Sequence, residues 1–337
     1  IDGTTGLVTG ISAGSTIISY KVVNGCGTAI ATHVITVNPL ANAGTISGAA
    51  TLCVGATTTY HSNGLSGGTW TSGTPGIATI DAATGLITGV SPGISTITYK
   101  VTTPCGTATT HSDITVIILP NAGSVSGAAT VCAGSTTTYA SDGLAGGTWS
   151  SQTPTVASVD AATGVITGVA AGNATITYTF TNECGTASAS KMIAVNPLAN
   201  AGTISGASTV CLGANATFTT NGLSGGTWSV DNSSVASISA SGVVTGLSAG
   251  NAVITYTSTT PCGTASATAN VNVIVLPDAG IVSGAATVCA GSTTTYASDG
   301  LAGGTWSSLT PSVASVDAVT GIVTGVSAGN ATITYTF

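Results

Sequence analysis

Residues 148–180 read TWSSQTPTVASVDAATGVITGVAAGNATITYTF, and their pattern predicts the fold class. Towards its end Ile176, Tyr178 and Phe180 alternate with threonines. An alternation of period two predicts a strand with one apolar face, directed to the core, and one hydroxylated face. The segment 160–164, DAATG, has the form of a type I turn closed by a glycine with positive φ. No apolar pattern of helical period occurs, so the stretch predicts antiparallel strands joined by turns.

Further strands are predicted on both sides, because turn signals recur about every 8 to 12 residues, a spacing typical of small sandwiches. The candidate strands are Ser124–Ser126, Ser135–Ala140, Gly147–Ser151, Ala157–Val159, Gly164–Gly168, Ala174–Thr181 and Gly185–Val195. Short strands at this spacing, without helix signals, predict an all-β fold and an antiparallel β-sandwich.

The same pattern recurs along the whole chain of 337 residues. Four tryptophans, each in the string GGTW, follow one another at spacings of 79, 79 and 78 residues. Eight cysteines form two further series with the same spacings, and one of these series lies in the string CGTA. The chain is therefore one unit of about 79 residues repeated in tandem.

Two kinds of unit alternate, since the linker VNPLANAGTISGA occurs at residue 37 and again at residue 195, whereas the linkers at residues 116 and 273 resemble each other. The predicted domains are a partial repeat with C-terminal strands only (repeat 1, residues 1–38), three complete repeats (repeat 2, residues 43–118; repeat 3, residues 122–195; repeat 4, residues 201–274) and a partial repeat that lacks its last strand (repeat 5, residues 279–337). Residues 1–22 align with residues 316–337, and we expect this sequence to be a window on a longer array.

The run TWSS...VASVD..TGVITGV.AGNATITYT begins at Thr148 and recurs with small changes in the complete repeats. It resembles the bacterial immunoglobulin-like (Ig-like) repeats of group 2, the kind found in intimin- and invasin-type adhesins and in very long cell-surface proteins. The resemblance covers essentially the whole chain and implies a tandem array of Ig-like antiparallel β-sandwiches. It also implies an extracellular, rod-like array whose repeats serve as spacers or adhesive modules.

Charged residues are scarce: the chain has three lysines, no arginine, 10 acidic residues and a net charge of -7. It cannot form the basic groove that neutralises phosphates, so nucleic acid is excluded as a partner. Thr, Ser or Gly interrupts the apolar residues every few positions, so no membrane-spanning helix is predicted. A hydrophobic content of 43%, rich in strand formers, predicts a folded chain rather than a disordered one.

The motif G-x-S-x-G occurs four times, around Ser12, Ser91, Ser248 and Ser327. A catalytic serine in this motif needs a helix after it and a histidine and an acid to complete the triad. Here each motif lies between two predicted strands, and repeat 3 has Ala170 in place of the serine. We therefore interpret the motif as a glycine-bounded turn and predict no enzyme activity and no catalytic residue.

No cofactor or metal site is predicted. The three histidines do not share a strand face and no C-x-x-C pair exists, so zinc has no ligand set. Asp81, Asp160 and Asp317 occupy one hairpin position, but each stands alone, whereas calcium needs several oxygen ligands. We expect these aspartates to cap their own turns.

The tryptophans and threonines each have two interpretations. A tryptophan at this strand position of a sandwich is the central core residue, and the alternative is a platform that stacks sugars. Threonine-rich strand faces are typical of exposed strands, and the alternative is an ice-binding surface. We predict that the core aromatic residues of the repeats are Trp70, Trp149, Trp228 and Trp306.

Periodic cysteines without metal-like pairs predict disulfides formed outside the cytosol. The candidates are Cys26, Cys53, Cys105, Cys132, Cys184, Cys211, Cys262 and Cys289. Three connectivities stay open: within a repeat (Cys53–Cys105, Cys132–Cys184, Cys211–Cys262), between neighbouring repeats (Cys53–Cys184, Cys132–Cys262), or across a linker (Cys105–Cys132, for example). We favour the bridge between neighbours, because the two cysteines of one repeat should lie at opposite ends of its sandwich and the ends of stacked repeats meet.

These features predict a non-enzymatic structural protein, secreted or on the cell surface, whose repeats form a fibre or stalk. Its expected partner is itself, because outer faces of Thr, Ser, Ala and Gly with very few lysines invite side-by-side association into filaments. One alternative is an adhesin or binding module with glycans, a cell surface or ice as partner. Another is the passive spacer of a larger surface enzyme.

Overall fold

Strands and turns make up the whole chain in the computed structural model, which describes residues 1–337. The all-β prediction is confirmed, and the strands follow the same order in each complete repeat. Repeat 1 contributes β1 (Gly14–Asn24) and β2 (Gly27–Val37). The strands of repeat 2 are β3 (Ile46–Ser47), β4 (Thr51–Cys53), β5 (Thr57–Thr59), β6 (His61–Ser62), β7 (Thr69–Ser72), β8 (Ala78–Ile80), β9 (Leu86–Gly89), β10 (Gly93–Thr103) and β11 (Gly106–Ile117).

The other repeats continue this series. The strands of repeat 3 are β12 (Val125–Ser126), β13 (Thr130–Cys132), β14 (Thr136–Thr138), β15 (Ala140–Ser141), β16 (Thr148–Ser151), β17 (Ala157–Val159), β18 (Val165–Gly168), β19 (Gly172–Asn182) and β20 (Gly185–Asn196). The strands of repeat 4 are β21 (Ile204–Ser205), β22 (Thr209–Cys211), β23 (Asn215–Thr217), β24 (Thr219–Thr220), β25 (Thr227–Val230), β26 (Ala236–Ile238), β27 (Val243–Gly246), β28 (Gly250–Thr260) and β29 (Gly263–Ile274). The strands of repeat 5 are β30 (Val282–Ser283), β31 (Thr293–Thr295), β32 (Ala297–Ser298), β33 (Thr305–Ser308), β34 (Ala314–Val316), β35 (Ile322–Gly325) and β36 (Ile333–Thr336).

Each complete repeat is a sandwich of two main sheets. In repeat 3 the four-stranded sheet has the order β13-β20-β19-β16, and the three-stranded sheet has the order β14-β18-β17. A two-stranded ladder of β12 and β15 closes one side. All pairs are antiparallel except β13 with β20, which run parallel. The long hairpin of β19 and β20 is the centre of the larger sheet, and its outward face is therefore the broadest regular surface of the repeat.

The core of repeat 3 lies between the two sheets, as the alternation of residues 174–181 predicts. Ala174, Ile176 and Tyr178 are buried, whereas the threonines between them are partly exposed. They meet Ile166 of the smaller sheet, which is fully buried. Burial of aliphatic and aromatic side chains of this size contributes about 1.5–3 kcal/mol each, which offsets the chain entropy lost by so small a domain.

Two details of the predicted strands of repeat 3 differ from the structure. The segment Ser135–Ala140, predicted as one strand, is divided into β14 and β15 by Tyr139. Tyr139 is 1% exposed and its hydroxyl donates a hydrogen bond to the Ala128 carbonyl (2.8 Å), so the chain leaves one sheet there and joins another. The parallel strand β13 was not predicted, because its three residues are too few to show an alternation of apolar and polar side chains.

The two incomplete repeats contain only parts of the sandwich. In repeat 5 the equivalent of β13 is absent, and only Ala290 forms an isolated bridge, to Gly325. Its usual parallel partner, the last strand, does not occur in repeat 5. In repeat 1 the hairpin of β1 and β2 has no opposing sheet, and Tyr20 is 72% exposed whereas the equivalent Tyr99 of repeat 2 is 6% exposed. The chain divides into two compact units, Ile1–Asn196 and Pro197–Phe337.

Gly68 precedes the tryptophan strand of repeat 2 and permits a close approach of two chain segments. A Cβ atom at this position would lie 2.5 Å from Cζ of Tyr99 and 2.6 Å from the carbonyl oxygen of Lys100. We expect Gly68→Ala to lower the free energy of unfolding of repeat 2 by about 1–3 kcal/mol, because the backbone or the tyrosine must shift. Urea denaturation measures this change.

Gly76 provides the matched control, because it lies in a turn of the same repeat and a Cβ there would meet no atom within 4 Å. Gly76→Ala should change the free energy of unfolding by no more than about 0.5 kcal/mol. Equal effects of the two substitutions would contradict the steric explanation.

Candidate functional site

The outward faces of the four-stranded sheets form a hydroxylated surface on each complete repeat. Thr98, Thr177 and Thr255 occupy one equivalent position at the middle of the long hairpins, directly opposite a Ser or Thr of the tryptophan strand. They point outward because the residues on either side of them in sequence point into the core. The period-two pattern of the sequence therefore predicts this surface correctly.

The hydroxylated surface carries very little charge. In repeat 3 its residues are Thr148, Ser150, Asn173, Thr175, Thr177, Thr179, Thr181, Thr186, Ser188, Ser190 and Met192. The equivalent surface of repeat 4 is likewise uncharged, whereas that of repeat 2 contains Lys100 and Asp113. Neighbouring hydroxyls bond across strands, as between Oγ1 of Thr181 and Oγ1 of Thr186 (2.9 Å). Such ladders fix the side chains in place and leave a flat, neutral surface.

Lys191, one of the three lysines, lies on the inner side of its strand and not on the hydroxylated surface. It pairs in register with the buried Ile176, and its Nζ donates a hydrogen bond to the Gly127 carbonyl (2.8 Å). Its ammonium group also lies 5.7 Å from the centre of the Tyr139 ring. The signal in the sequence was its position two residues before the apolar Ile193, which places both on one face.

A disulfide joins Cys53, at the end of β4 in repeat 2, to Cys184, in the turn between β19 and β20 of repeat 3. The two Cα atoms are 5.7 Å apart, within the usual range for a disulfide. The bond connects neighbouring repeats and spans 131 residues of sequence. Cys132, in the same compact unit, is also disulfide-bonded, and Cys262 is disulfide-bonded in the second unit.

The other two connectivities considered from sequence are wrong. The bridges within a repeat are not formed, because Cys184 bonds to Cys53 while Cys105 and Cys211 are free thiols. The disulfide between Cys105 and Cys132 across the linker is not formed either, because Cys105 is a free thiol. The physical cause is that the two cysteines of one repeat lie at opposite ends of its sandwich, so neither can reach the other.

Four of the eight candidate cysteines are free, against the expectation that the periodic cysteines form disulfides. They are Cys26, Cys105, Cys211 and Cys289. A partner for Cys105 would have to lie 131 residues before it, and one for Cys211 about as far after it, if they followed the spacing of the observed bond. Neither position exists among the 337 residues.

The four tryptophans lie on the inner side of their strands. Trp70, Trp149 and Trp306 are between 5% and 6% exposed, and Trp228 is partly buried. Trp149 packs against Tyr178 with 4.9 Å between ring centres. The Tyr178 hydroxyl donates to the Leu144 carbonyl (2.6 Å) and accepts from the Gly147 amide (2.8 Å). The buried indoles of Trp70, Trp149 and Trp306 therefore belong to the core of their repeats.

Three of the four serines of the G-x-S-x-G motifs, Ser91, Ser248 and Ser327, bond across turns through their hydroxyls. Ser91 lies between β9 and β10, and its hydroxyl donates a hydrogen bond to the Gly76 carbonyl (2.6 Å). Ser248 and Ser327 make the equivalent bonds to the carbonyls of Ser234 and Ser312. An activated nucleophile donates its proton to a base, whereas these hydroxyls donate to backbone carbonyls.

Asp160 caps its own hairpin turn, as the sequence predicts. Its Oδ1 accepts hydrogen bonds from the Thr163 hydroxyl (2.7 Å), the Thr163 amide (2.8 Å) and the Ala162 amide (3.2 Å). These bonds, the one from the Thr163 side chain first, lower the pKa of the Asp160 carboxyl below its ordinary value of 3.8. Asp81 and Asp317 have the same arrangement and lowered pKa values, whereas Ser239 occupies this position in repeat 4.

These turn aspartates should make stability depend on pH in acid. Because the folded chain lowers the pKa of each carboxyl, the ionised form stabilises the fold above pH 3.8, and this contribution disappears as pH falls through the lower folded pKa. We expect the triple variant D81N, D160N, D317N to lose less stability between pH 5 and 2 than the wild type, as measured by thermal unfolding. Parallel pH profiles would contradict the assignment, and repeat 4 should respond least in both proteins.

No group of three or more His, Cys, Asp or Glu side chains comes together in a way that could hold a metal ion. The chain also contains no helix long and apolar enough to cross a membrane.

The repeated two-sheet sandwich, its tryptophan core and the bond between neighbouring repeats define a tandem Ig-like array. The chain belongs to the bacterial Ig-like domain (group 2) family, whose model matches residues 31–109, 114–193, 189–271 and 269–337. The resemblance noted in the sequence is thereby confirmed, while the domain boundaries drawn at the linkers stay a prediction.

The chain is also similar, at low sequence identity, to several solved structures. The titin I-band fragment I67-I69 is 14% identical, with 67% of this chain and 95% of that chain covered and a TM-score of 0.42. Drosophila N-cadherin EC1-4 is 9% identical, with 77% and 83% covered and a TM-score of 0.31. A Ca²⁺-stabilised adhesin with which an Antarctic bacterium binds ice is 18% identical, with 88% and 98% covered and a TM-score of 0.26. A search of curated proteins found no match.

Proposed function

We propose that this chain is part of a non-enzymatic structural protein, secreted or exposed on the cell surface, whose tandem Ig-like repeats form a fibre or stalk and associate side by side into filaments. The uncharged hydroxylated surface of repeats 3 and 4 carries this proposal. The disulfide between Cys53 and Cys184 supports an extracellular location, because such bonds persist in oxidising compartments.

Side-by-side association follows from what this surface lacks. In ordinary proteins, interspersed charges, above all lysines, prevent the sheet faces and edges of one molecule from associating with those of another. Here Lys191 is directed inward, and the last 146 residues of the chain contain no lysine. Two flat, neutral surfaces can approach closely without desolvating a charge, and their hydroxyls can hydrogen-bond to each other across the contact, which limits the desolvation penalty.

The absence of enzyme activity is part of the same proposal. It is supported by the backbone bonds of Ser91, Ser248 and Ser327 and by Ala170 at the equivalent place in repeat 3. Covalent labelling of any of these serines by a fluorophosphonate probe would overturn it.

Lysines placed on the hydroxylated surface should abolish filaments. We expect the triple variant T98K, T177K, T255K to give dispersed single rods in electron microscopy under conditions in which the wild type forms filaments several domains wide. The added ammonium groups repel one another and must be desolvated on contact. The conservative variant T98S, T177S, T255S keeps the hydroxyls and is the matched control.

Two outcomes would contradict lateral association through this surface. One is a wild type that forms only dispersed rods one domain wide. The other is a lysine variant that still forms the wild-type filaments, with urea denaturation showing that its repeats remain folded.

A further inference from the structure

The disulfide between Cys53 and Cys184 encloses most of two repeats in one covalent loop. Cys53 is the last residue of β4, and Cys184 is the residue before β20. The loop between them contains β5 to β11 of repeat 2 and β12 to β19 of repeat 3. Of the strands of these two repeats, only β3, β4 and β20 lie outside the loop.

This loop changes how the chain responds to a pulling force. The Cα atoms of the two cysteines are held 5.7 Å apart, although 131 residues of sequence separate them. A fully extended chain spans about 3.3–3.6 Å per residue, so without the bond this segment could extend to about 430–470 Å. With the bond in place, tension from residues before Cys53 reaches residues after Cys184 across the two sulfur atoms, and the enclosed residues add no length.

An extended strand receives the tension on the far side of the bond. β20 begins directly after Cys184 and contains 12 residues, so it is about 40 Å long at the usual rise of a strand. It pairs along its length with β19, from Gly185 opposite Asn182 to Val195 opposite Gly172, and at its end with β13. Because the strand is extended before any force acts, a pull on its two ends lengthens it very little.

Several contacts hold the two ends of the bond beside each other. Ile117 pairs in register with Cys53, and its carbonyl accepts a hydrogen bond from the amide that follows Cys53 (3.0 Å). The same carbonyl oxygen lies 3.8 Å from Sγ of Cys184. At the end of β19, Nδ2 of Asn182 donates a hydrogen bond to the Ile118 carbonyl (2.8 Å). The junction between β4 and β20 is therefore fixed by backbone contacts as well as by the disulfide.

We infer that the Cys53–Cys184 bond is a tension bypass, which transmits a pulling force from β4 through the disulfide to β20 and prevents residues 54–183 from lengthening the chain. A sandwich held only by hydrogen bonds and core packing is marginally stable and unravels when the force is large enough. The covalent bypass limits the length that this unravelling releases. If repeats 2 and 3 unfold, only their residues outside the loop, 43–53 and 184–195, can extend.

Single-molecule stretching of the full chain, between handles at its two ends, tests the bypass. Because Cys132 and Cys262 are also disulfide-bonded, the bypass variant keeps Cys53 and Cys184 and carries serine at all other cysteines. The cysteine-free variant, with C53S and C184S in addition, is the comparison. At full extension the bypass variant should be shorter by about 430–470 Å, and it should lack the full-length unfolding steps of repeats 2 and 3.

Two matched insertions test which residues the loop encloses. Twenty glycine and serine residues inserted after Pro75, in an exposed turn of repeat 2, should leave the extended length of the bypass variant unchanged. The same insertion after Ser233, in the equivalent exposed turn of repeat 4, should lengthen that variant by about 66–72 Å. In the cysteine-free variant both insertions should add this length.

Three results would overturn the inference. One is an equal extended length of the bypass variant and the cysteine-free variant. Another is a bypass variant that becomes longer when the insertion is made in repeat 2. The third is the absence of peptides joined through Cys53 and Cys184 in digests of the unreduced wild type. Because the extended length of a covalent chain does not depend on folding, a loss of stability in the cysteine-free variant does not disturb the comparison.

The tension bypass adds a tensile function to the proposed fibre or stalk, and it rests on the proposed function only for the source of the force. A single stretched molecule makes no lateral contact, so its extended length is independent of the hydroxylated surface. The bypass variant retains this whole surface. If it forms wide filaments in electron microscopy, lateral association stands whatever the stretching shows, and failure of one proposal is distinguishable from failure of the other.

Discussion

Replacing Cys53 and Cys184 together by serine is expected to lower the free energy of unfolding of repeats 2 and 3 by about 2–5 kcal/mol. The bond spans 131 residues, and a crosslink over so long a segment removes a large amount of conformational freedom from the unfolded chain. Domains of about 79 residues bury a small core, so this contribution is a large part of their stability. Urea denaturation followed by tryptophan fluorescence measures it, since Trp70 and Trp149 report on the two repeats.

Cys105→Ser is the matched control, because Cys105 is an exposed free thiol of the same compact unit. Its replacement should leave the unfolding midpoint unchanged. Besides the loss of stability, the double variant should unfold its two repeats in separate transitions. Neighbouring units of an array unfold together when they are coupled, and removal of the disulfide weakens the coupling of repeats 2 and 3. Unchanged midpoints in the double variant would show that the bond joins repeats already stable without it.

Trp149→Ala should lower the free energy of unfolding of repeat 3 by about 3–5 kcal/mol, which is enough to unfold it at moderate temperature. The indole is 6% exposed and packs on Tyr178. It also lies beneath the turn glycine, since a Cβ at Gly164 would be 2.9 Å from Nε1 of the indole. Removing the ring leaves a cavity bounded by two sheets that are each held by their own hydrogen bonds, so the site cannot collapse to fill it.

Trp228→Ala provides the comparison within the same chain. Trp228 is only partly buried and so loses less buried surface on truncation. We expect a smaller loss of stability in repeat 4 than Trp149→Ala causes in repeat 3. Thr148→Ala, next to the tryptophan but on the exposed side, should have an effect within about 0.5 kcal/mol. Equal losses of stability for the two tryptophan variants would contradict the explanation that the buried area of the indole determines the loss.

The turn aspartates and the long hairpins show what can be predicted from local sequence. Asp160 caps its turn by accepting hydrogen bonds from residues two and three positions later, so the four consecutive residues 160–163 are sufficient to predict the cap. The alternation of residues 174–181 likewise sorts core from surface without knowledge of the partner sheet.

The division of Ser135–Ala140 was missed, because it depends on Tyr139, which is buried and whose hydroxyl donates to the distant Ala128 carbonyl. The inward position of Lys191 was missed although the apolar Ile193, two residues later, indicates it.

Sequence patterns alone predict the repeat length, the all-β sandwich, the tryptophan core positions and the nearly uncharged outer faces of the repeats. These follow from periodicity and from side-chain chemistry, which act within a few residues of each other. The choice of cysteines that bond follows from the tertiary structure, because the entropies of closing the alternative loops are too similar to choose between them. The stacking of repeats 2 and 3 brings Cys53 to Cys184 and leaves Cys105 free, since distance in space rather than along the chain determines whether a disulfide forms.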